Sequence, residues 1–481
     1  MQDDSRIATS CPRGEGLSRR QMLAKLGRIG FSFPLAAIGM KPFLGWAQAV
    51  ALPTIEVPGQ AQLSPADEQL LEDLERASFL FFWEQASPHT GLVKDRGKAK
   101  GIDQRDVASI AATGFGLTAI CIADKRGFIS SAQARARVLA TLRFLWKRLL
   151  HQRGFFYHFI NMNTGERVWQ SEASSIDTAI LLCGVLTCRQ YFEDSEIQQL
   201  AKQIYERVDW LWLLAGGKLL SHGWRPEEGF LKPRWDTYCE LMMIYLLGLG
   251  STTHPLPAET WDAWKRPLFE YDGIRYIGAR APLFVHQYSH AWFDFRAKRD
   301  RHADYFANSV LATDVHRRFC LSLRKQFPQF SEDLWGITAS DSARGYVAWG
   351  GPPPMGPLDG TLVPCATGGS VPFLARETLR VLRAMREQFG NRVWSRYGFV
   401  DAFNPHTNWF DPDIVGINAG ITLLMAENAR SQFVWNTFMK NEEARRGMDR
   451  AGFRPTADDQ PKGNQQVRFQ HVDRCSPRQA G

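Results

Sequence analysis

Pro233-Arg-Trp-Asp-Thr-Tyr-Cys-Glu-Leu-Met-Met-Ile-Tyr-Leu-Leu-Gly-Leu-Gly250 decides how the chain is read. From Leu241 to Leu249 it is apolar almost without interruption, which predicts a helix buried on nearly all sides. A Trp, an Asp, a Tyr and a Glu stand at its N-terminal end, so that end should open into a cavity. Glu240 lies where the apolar run begins. A carboxyl there is partly desolvated, which raises its pKa toward the range of a general acid. Thr237-x-x-Glu240 is also a capping-box spacing, in which Glu240 would satisfy a backbone N–H. Spacing alone favours the cap and leaves the acid open.

At 481 residues, with 44% hydrophobic and 22% charged residues, the chain has the composition of a globular protein of one large or two ordinary domains. Its 16 Trp, 31 Phe and 11 Tyr offer flat apolar faces with polar edges, suited to sugar rings and to large helical cores alike. Half of the net charge of +8 comes from residues 1–49, and no dense Lys/Arg block follows, so nucleic acid is not an expected partner. The 8 cysteines form no CxxC pair, and most lie in apolar runs, as small core residues do.

The N-terminus reads as a targeting segment. Ser18-Arg-Arg-Gln-Met-Leu23 is a twin-arginine pattern, followed by an apolar stretch to Trp46 and the small-residue site Ala47-Gln-Ala49. Pro34, Lys41 and Pro42 interrupt the stretch, leaving it well short of the roughly 20 apolar residues of a membrane span. Residues 1–49 are therefore expected to direct export by the twin-arginine machinery, to the periplasm or beyond. Residues 50–63 are a lead-in, 64–455 one helical domain, and 456–481 a polar, disordered tail.

Within 64–455 the pattern predicts helices from Ser64 onward and at 107–125, 131–150, 174–192, 195–214, 235–250, 300–326, 374–389 and 420–439. Strand alternation is confined to short pieces near 154–159 and 219–223. Repeated helix pairs with acids and aromatics in the intervening loops predict an all-α (α/α)6 toroid with a central cleft and few short strands.

Glycoside hydrolysis needs two carboxyl groups about the scissile bond, one protonated and one ionised. Candidates stand in Trp169–Thr178, Phe284–Asp294, Leu334–Asp341 and Tyr397–Pro405, and no spacing rule selects a pair. Ser174-x-x-Asp177 resembles a capping box, and Asp341 and Asp401 fit turns as well as chemistry. His286 and His290 have helical metal-pair spacing without an HExxH glutamate, so no metal is expected. No GxSxG elbow, P-loop or dinucleotide glycine pattern stands in its required context.

Ser109–Leu117, Gly154–Phe159, Ser174–Ala179, Glu240–Pro257, His286–His290, Leu334–Asp341 and Arg396–Pro405 together resemble the glucoamylase-like domain family, in that family's order and across about Leu70–Phe453. The family is similar to glycoside hydrolase family 144, the bacterial β-1,2-glucanases, and to domains of cyclic β-1,2-glucan synthases. The resemblance implies an (α/α)6 toroid and inverting hydrolysis of β-glucan by carboxylates, without metal or cofactor. It places Glu240 as general acid and makes Asp401 the first choice of base, with Asp341 and Asp177 behind it. Trp235, Tyr238, His286, Tyr288, His290, Trp335, Asn404 and Glu427 are assigned to an oligo- or polysaccharide cleft. Cys239 departs from the Asn often found before the family's Glu. A non-hydrolytic carbohydrate-binding protein and a transglycosylase are the alternatives on the same fold.

Overall fold

The computed structural model describes residues 63–456. The twin-arginine segment 1–49, nearly all of the 50–63 lead-in and all but the first residue of the 456–481 tail lie outside the described residues. The described chain is mostly helical: α1 (Pro65–Glu84), α2 (Ile110–Lys125), α3 (Ser131–Lys147), α4 (Ser175–Tyr191), α5 (Ser195–Glu206), α6 (Met242–Gly250), α7 (Thr260–Ala263), α8 (Tyr305–Ser322), α9 (Pro364–Gly368), α10 (Ala375–Phe389), α11 (Gly416–Ser431), α12 (Phe433–Phe438) and α13 (Glu442–Arg450). Its strands are two to four residues long and pair into small antiparallel ribbons between helices. Among the described residues no helix is long and apolar enough to cross a membrane.

The helices are of two kinds. α2 is buried from Ile110 to Ala123, α4 from Ser175 to Cys188, and all nine residues of α6 are buried. By contrast, α3, α5 and α10 bury one face each, for example Ile197, Leu200, Ala201 and Ile204 of α5. The amphipathic helices cover the buried ones: α5 lies on α4, α13 on α6, and α1 on both α2 and α11. α2 packs along α4 on one side and α11 on the other, and α11 also meets α9.

Where α2 crosses α4 the backbones nearly touch. A Cβ on Gly184 would sit 2.1 Å from the Gly114 carbonyl oxygen, and one on Gly114 would sit 2.5 Å from the Ile180 carbonyl oxygen. α6 and α13 use the same device, Gly250 facing the Glu443 carbonyl and Gly447 that of Leu246. Missing side chains let the helices approach closely enough to bring long stretches of side chain into contact.

Several helix boundaries differ from the sequence expectation for local reasons. The Glu240 helix begins at Met242 because Trp235–Leu241 is drawn into turns, Tyr238 N–H bonding the Lys265 carbonyl at 2.8 Å and Lys265 N–H that of Asp236 at 2.7 Å. The predicted 420–439 helix starts at Gly416 and breaks at Gln432, whose φ of +60° is left-handed. The predicted 195–214 helix ends at Glu206, and the 300–326 helix waits for Asp304, which caps Ala307 N–H at 2.9 Å. Ser64 caps α1 with the reciprocal Asp67 bond of a true capping box.

Gly184→Ala tests the close approach. Ala gains about 1 kcal/mol of helix propensity, but its Cβ meets backbone that has no rotamer to give. The clash, about 1–3 kcal/mol for an overpacked core, wins. Denaturant unfolding should show a net loss of stability; an unchanged or raised midpoint would mean α2 and α4 are free to separate.

Candidate active site

The segments leading into the buried helices are stitched to one another. Gly416 N–H, opening α11, bonds the Asp95 carbonyl at 2.7 Å, and Asp95 N–H bonds that of Val107 just before α2. Ile110 N–H of α2 bonds the His158 carbonyl, whose own N–H bonds that of Glu172 before α4. The Trp235 indole donates to Ser175 Oγ at 2.7 Å, joining α4 to the turns that precede α6. Ser289 Oγ donates to the Glu240 carbonyl at 2.9 Å and accepts from Met243 N–H at 3.1 Å. Its neighbour Tyr288 reaches Asn418 Oδ1, in the first turn of α11, at 3.5 Å. The circuit α11–α2–α4–α6–α11 thus closes through residues at helix N-termini.

Two groups of buried carboxylates lie on this circuit. In the first, one carboxylate oxygen from each of Asp341, Asp401 and Asp411 lies within 4.8 Å of the others. Each follows a two-residue strand, Ala339–Ser340, Gly398–Phe399 and Trp409–Phe410 respectively. Asp401 is 3% exposed; its two oxygens accept from Asp341 N–H at 2.8 Å and Asn418 Nδ2 at 2.7 Å. Arg96 donates to Asp341 and, at 3.1 Å, to Asp95. The ribbon of Arg96–Lys98 with Asp413–Val415 brings Arg96 here, and Arg105 grips Asp413 with bonds of 2.6 and 2.8 Å. Asp411 Oδ1 accepts from Asp413 N–H at 2.9 Å, while its Oδ2 is buried without a hydrogen-bond partner.

Five aspartates against two arginines leave the group short of positive charge, and like charges in a dry site raise one another's pKa. Burial and then Asp341 push Asp401 up to about 7. Burial, Asp401 and Asp341 push Asp411 up to about 9. Burial also raises Asp341, against the pull of Arg96. A carboxyl near 7 suits a general base at neutral pH, and a neutral carboxylic acid beside it lets that base ionise.

The second group is His158, Glu172 and Asp177, ahead of α4. His158 Nδ1 is 3.5 Å from both Glu172 Oε1 and Asp177 Oδ2. Ser174 caps α4 by accepting from Asp177 N–H at 3.1 Å and donates its hydroxyl to Asp177 Oδ2, so Asp177 serves the helix start while facing His158. Either trio has the oxygen-rich donors that suit a hard cation, although Arg96 already supplies charge to the first.

Glu240, 4% exposed, stands in the turn just ahead of α6. The Thr237–Glu240 capping box does not form: α6 has no side-chain cap, and Thr237 Oγ1 bonds Asp236 instead. Trp235 stacks on His222 with ring centroids 3.9 Å apart, and Tyr288 sits between Phe115 and Phe284.

The other residues assigned to the cleft are placed differently. Tyr238 is fully buried, its hydroxyl 3.0 Å from His286 Nδ1. His290 lies among Phe295, Phe306 and Phe373 with Ser309 Oγ at 3.0 Å. Both histidines are held neutral, pushed down to about 3 by burial and a neighbouring imidazole, and they sit on successive 3-10 turns rather than one helix face. Trp335 is fully buried beside His316. Asn404 folds its own turn, accepting from His406 N–H and Thr407 N–H. Glu427 is nine residues beyond Asn418 on α11, roughly 14 Å along the axis, where Arg126 holds it at 2.9 Å next to Glu75. Its role is to tie α11 to α1 and α2.

Asp411, Asn418, Arg96, Glu172 and His158 join the site without having been singled out. Glu172 lies inside the acidic Trp169–Thr178 stretch, and Asp411-Pro-Asp413 is an acidic turn, so both carried a signal. Arg96 carried none, since its partner Asp341 is 245 residues away.

Comparison with known proteins agrees with this geometry. Residues 232–442 match the family model described as "Putative glucoamylase". A crystal structure of a "putative glucoamylase" from Bacteroides uniformis superposes with a TM-score of 0.77 at 30% identity, over 82% of this chain and 98% of that one. An endo-β-1,2-glucanase from Chitinophaga pinensis, solved with sophorotriose and glucose, gives 0.77 at 26% identity, over 81% and 99%. An exo β-1,2-glucooligosaccharide sophorohydrolase from Parabacteroides distasonis is 29% identical over 424 residues, 80% of this chain. The chain spans 58% of the length of that curated relative. The fold is thus that of a carbohydrate-active class. The chain belongs to the glucoamylase-like family.

Asp411→Asn keeps the Oδ1 acceptor for Asp413 N–H and removes one buried charge. A carboxyl whose folded pKa lies above its unfolded one destabilises the fold increasingly as pH rises from about 4 to 9. The variant should therefore be more stable than wild type by about 1–3 kcal/mol at pH 8, with the gap closing below pH 4. Thermal unfolding across pH checks this; equal stability at pH 8 would mean the acid surplus is already balanced.

Proposed function

We propose that this protein is an exported glycoside hydrolase that cleaves β-1,2-glucan. The observation that carries the reading is the circuit of helix N-termini with Glu240 on one stretch and the Asp341–Asp401–Asp411 group on another. We infer that the circuit marks the mouth of an (α/α)6 toroid, its inner ring including α2, α4, α6, α9 and α11, with the cleft at the N-terminal ends. An endo-β-1,2-glucanase from Talaromyces funiculosus, with a TM-score of 0.57 at 13% identity, supports the fold. The β-1,2 linkage rests on the Chitinophaga and Parabacteroides relatives.

In this mechanism Glu240 protonates the leaving glycosidic oxygen and Asp401 takes the proton of the attacking water. The Asp341 N–H and Asn418 amide fix the Asp401 carboxylate and leave each oxygen a second lone pair for water. Asp341, bound to Arg96, holds the strand end that supplies that N–H. Turnover through Asp401 should fall as pH drops below about 7, where the base protonates. Inversion follows if water attacks opposite the leaving group in one step. Export rests on the twin arginines at Arg19 and Arg20 and the Ala47-Gln-Ala49 site, which direct the mature chain, from about Val50, to the periplasm or beyond.

The test is to incubate the purified protein with linear β-1,2-, β-1,3-, β-1,4- and α-1,4-glucans and resolve the products by size. Short linear β-1,2 oligosaccharides are expected. Cyclic or lengthened products would assign it to transfer instead, and glucan retardation in a gel without any product would assign it to binding. Glu240→Gln should lower turnover by about 10²–10⁴-fold while leaving glucan binding and unfolding unchanged. Wild-type turnover in that variant would remove Glu240 from the chemistry.

A further inference from the structure

Trp169 is 62% exposed, the one strongly exposed aromatic ring among the described residues. It also stands where a tryptophan fits badly. Ser171 N–H bonds the Val168 carbonyl at 3.1 Å, closing a four-residue turn whose central pair, Trp169 (φ +54°) and Gln170 (φ +48°), are both left-handed. Two positive φ values in succession are the mark of a type I′ turn, which selects Asn and Gly. An ordinary side chain there is strained by about 1–3 kcal/mol per residue. Exposure and strain at one large apolar residue both work against the fold, so packing does not account for it.

The turn is nevertheless held firmly. Arg167 forms two bonds to Glu227 at 2.6 and 3.0 Å and donates to the Ser171 carbonyl. Asn161 N–H bonds the Glu166 carbonyl, and Val168 N–H that of Phe159. The Trp169 ring meets Phe159 edge-on, with centroids 5.0 Å apart. Phe159 in turn stacks on His158 at 3.8 Å, and His158 faces Glu172 and Asp177. A flat, wet, immobilised indole therefore lies two ring contacts from a pair of buried carboxylates, on the segment leading into α4. A pyranose ring has this complementary shape, with a C–H face for the indole and hydroxyls for the acids.

We propose that Trp169 is the stacking floor of an additional sugar subsite on the rim of the cleft, taking a glucose unit beyond those at the reacting centre. The subsite rests on the β-glucan reading above. It makes the enzyme sensitive to chain length: a substrate long enough to reach Trp169 gains the contact, and a shorter one does not.

Trp169→Asn separates this from a structural role, because Asn suits the left-handed position and nothing buried is lost. The full-length variant should melt at the same or a higher temperature than wild type. Its KM for long β-1,2-glucan should rise about 3- to 10-fold with kcat unchanged, and KM for the shortest cleaved oligosaccharide should stay as it was. KM unchanged at every length overturns the subsite, as does a lowered melting temperature accompanying a uniform loss of activity. Affinity gels with the same glucans keep the two readings apart. If wild type is retarded but releases no product, the hydrolase fails, and retardation lost in Trp169→Asn still upholds the subsite. Wild type that no glucan retards overturns both.

Discussion

Backbone contact between α2 and α4 is the constraint on which the rest depends. With Gly184 set against the Gly114 carbonyl, the two helices have no side chain between them at the crossing and cannot shift without losing it. Their preceding segments are thereby fixed against one another, and His158, bonded to both Ile110 and Glu172, takes its place between them. The α6–α13 crossing fixes the turn that holds Glu240 in the same way. Precision at the helix ends follows from glycines in the middle of the helices.

That rigidity is what lets like charges remain together. Asp401 and Asp411 are buried within reach of Asp341, and in a softer frame they would move apart or admit water until their pKa values returned to the ordinary range. Strand ribbons of two or three residues could not hold them alone. They are held because each ribbon is anchored to a buried helix, as Asp413–Val415 runs directly into α11. The stabilising acids behave differently: Glu75 and Glu427 sit with Arg126 and Arg430, so their charge is matched where it ties helices together.

The helical class, the buried nature of the Glu240 run and most helix positions were legible from periodicity, because the inner helices are apolar for whole turns. Asp341 and Asp401 were legible as candidates and came together; Asp177 was read as a cap, and it is one, while also facing His158. What could not be read was pairing at long range. Nothing near Lys94-Asp-Arg96 announces a contact with Asp341, and nothing near Glu427 says that nine residues of helix carry it away from Asn418. Aromatic content pointed to sugar faces, yet Tyr238, Trp335 and His290 are spent on the core, because a large ring with one polar atom satisfied packs as well as Phe.

Trp169 is the converse case. Its neighbours in sequence suggested only an acidic loop, and its meaning comes from backbone conformation, which composition does not carry. A left-handed turn can be read from Asn-Gly but not from Trp-Gln, since the residues that would betray it are absent. Strained or unpaired groups collect in the segments before α4 and α11: Trp169 with Gln170, and Asp411 with its unpartnered oxygen. Both are locally unfavourable, and both stand where closely crossed helices can offset them. A fold that concentrates its costs at one set of helix ends is arranged around what those ends hold.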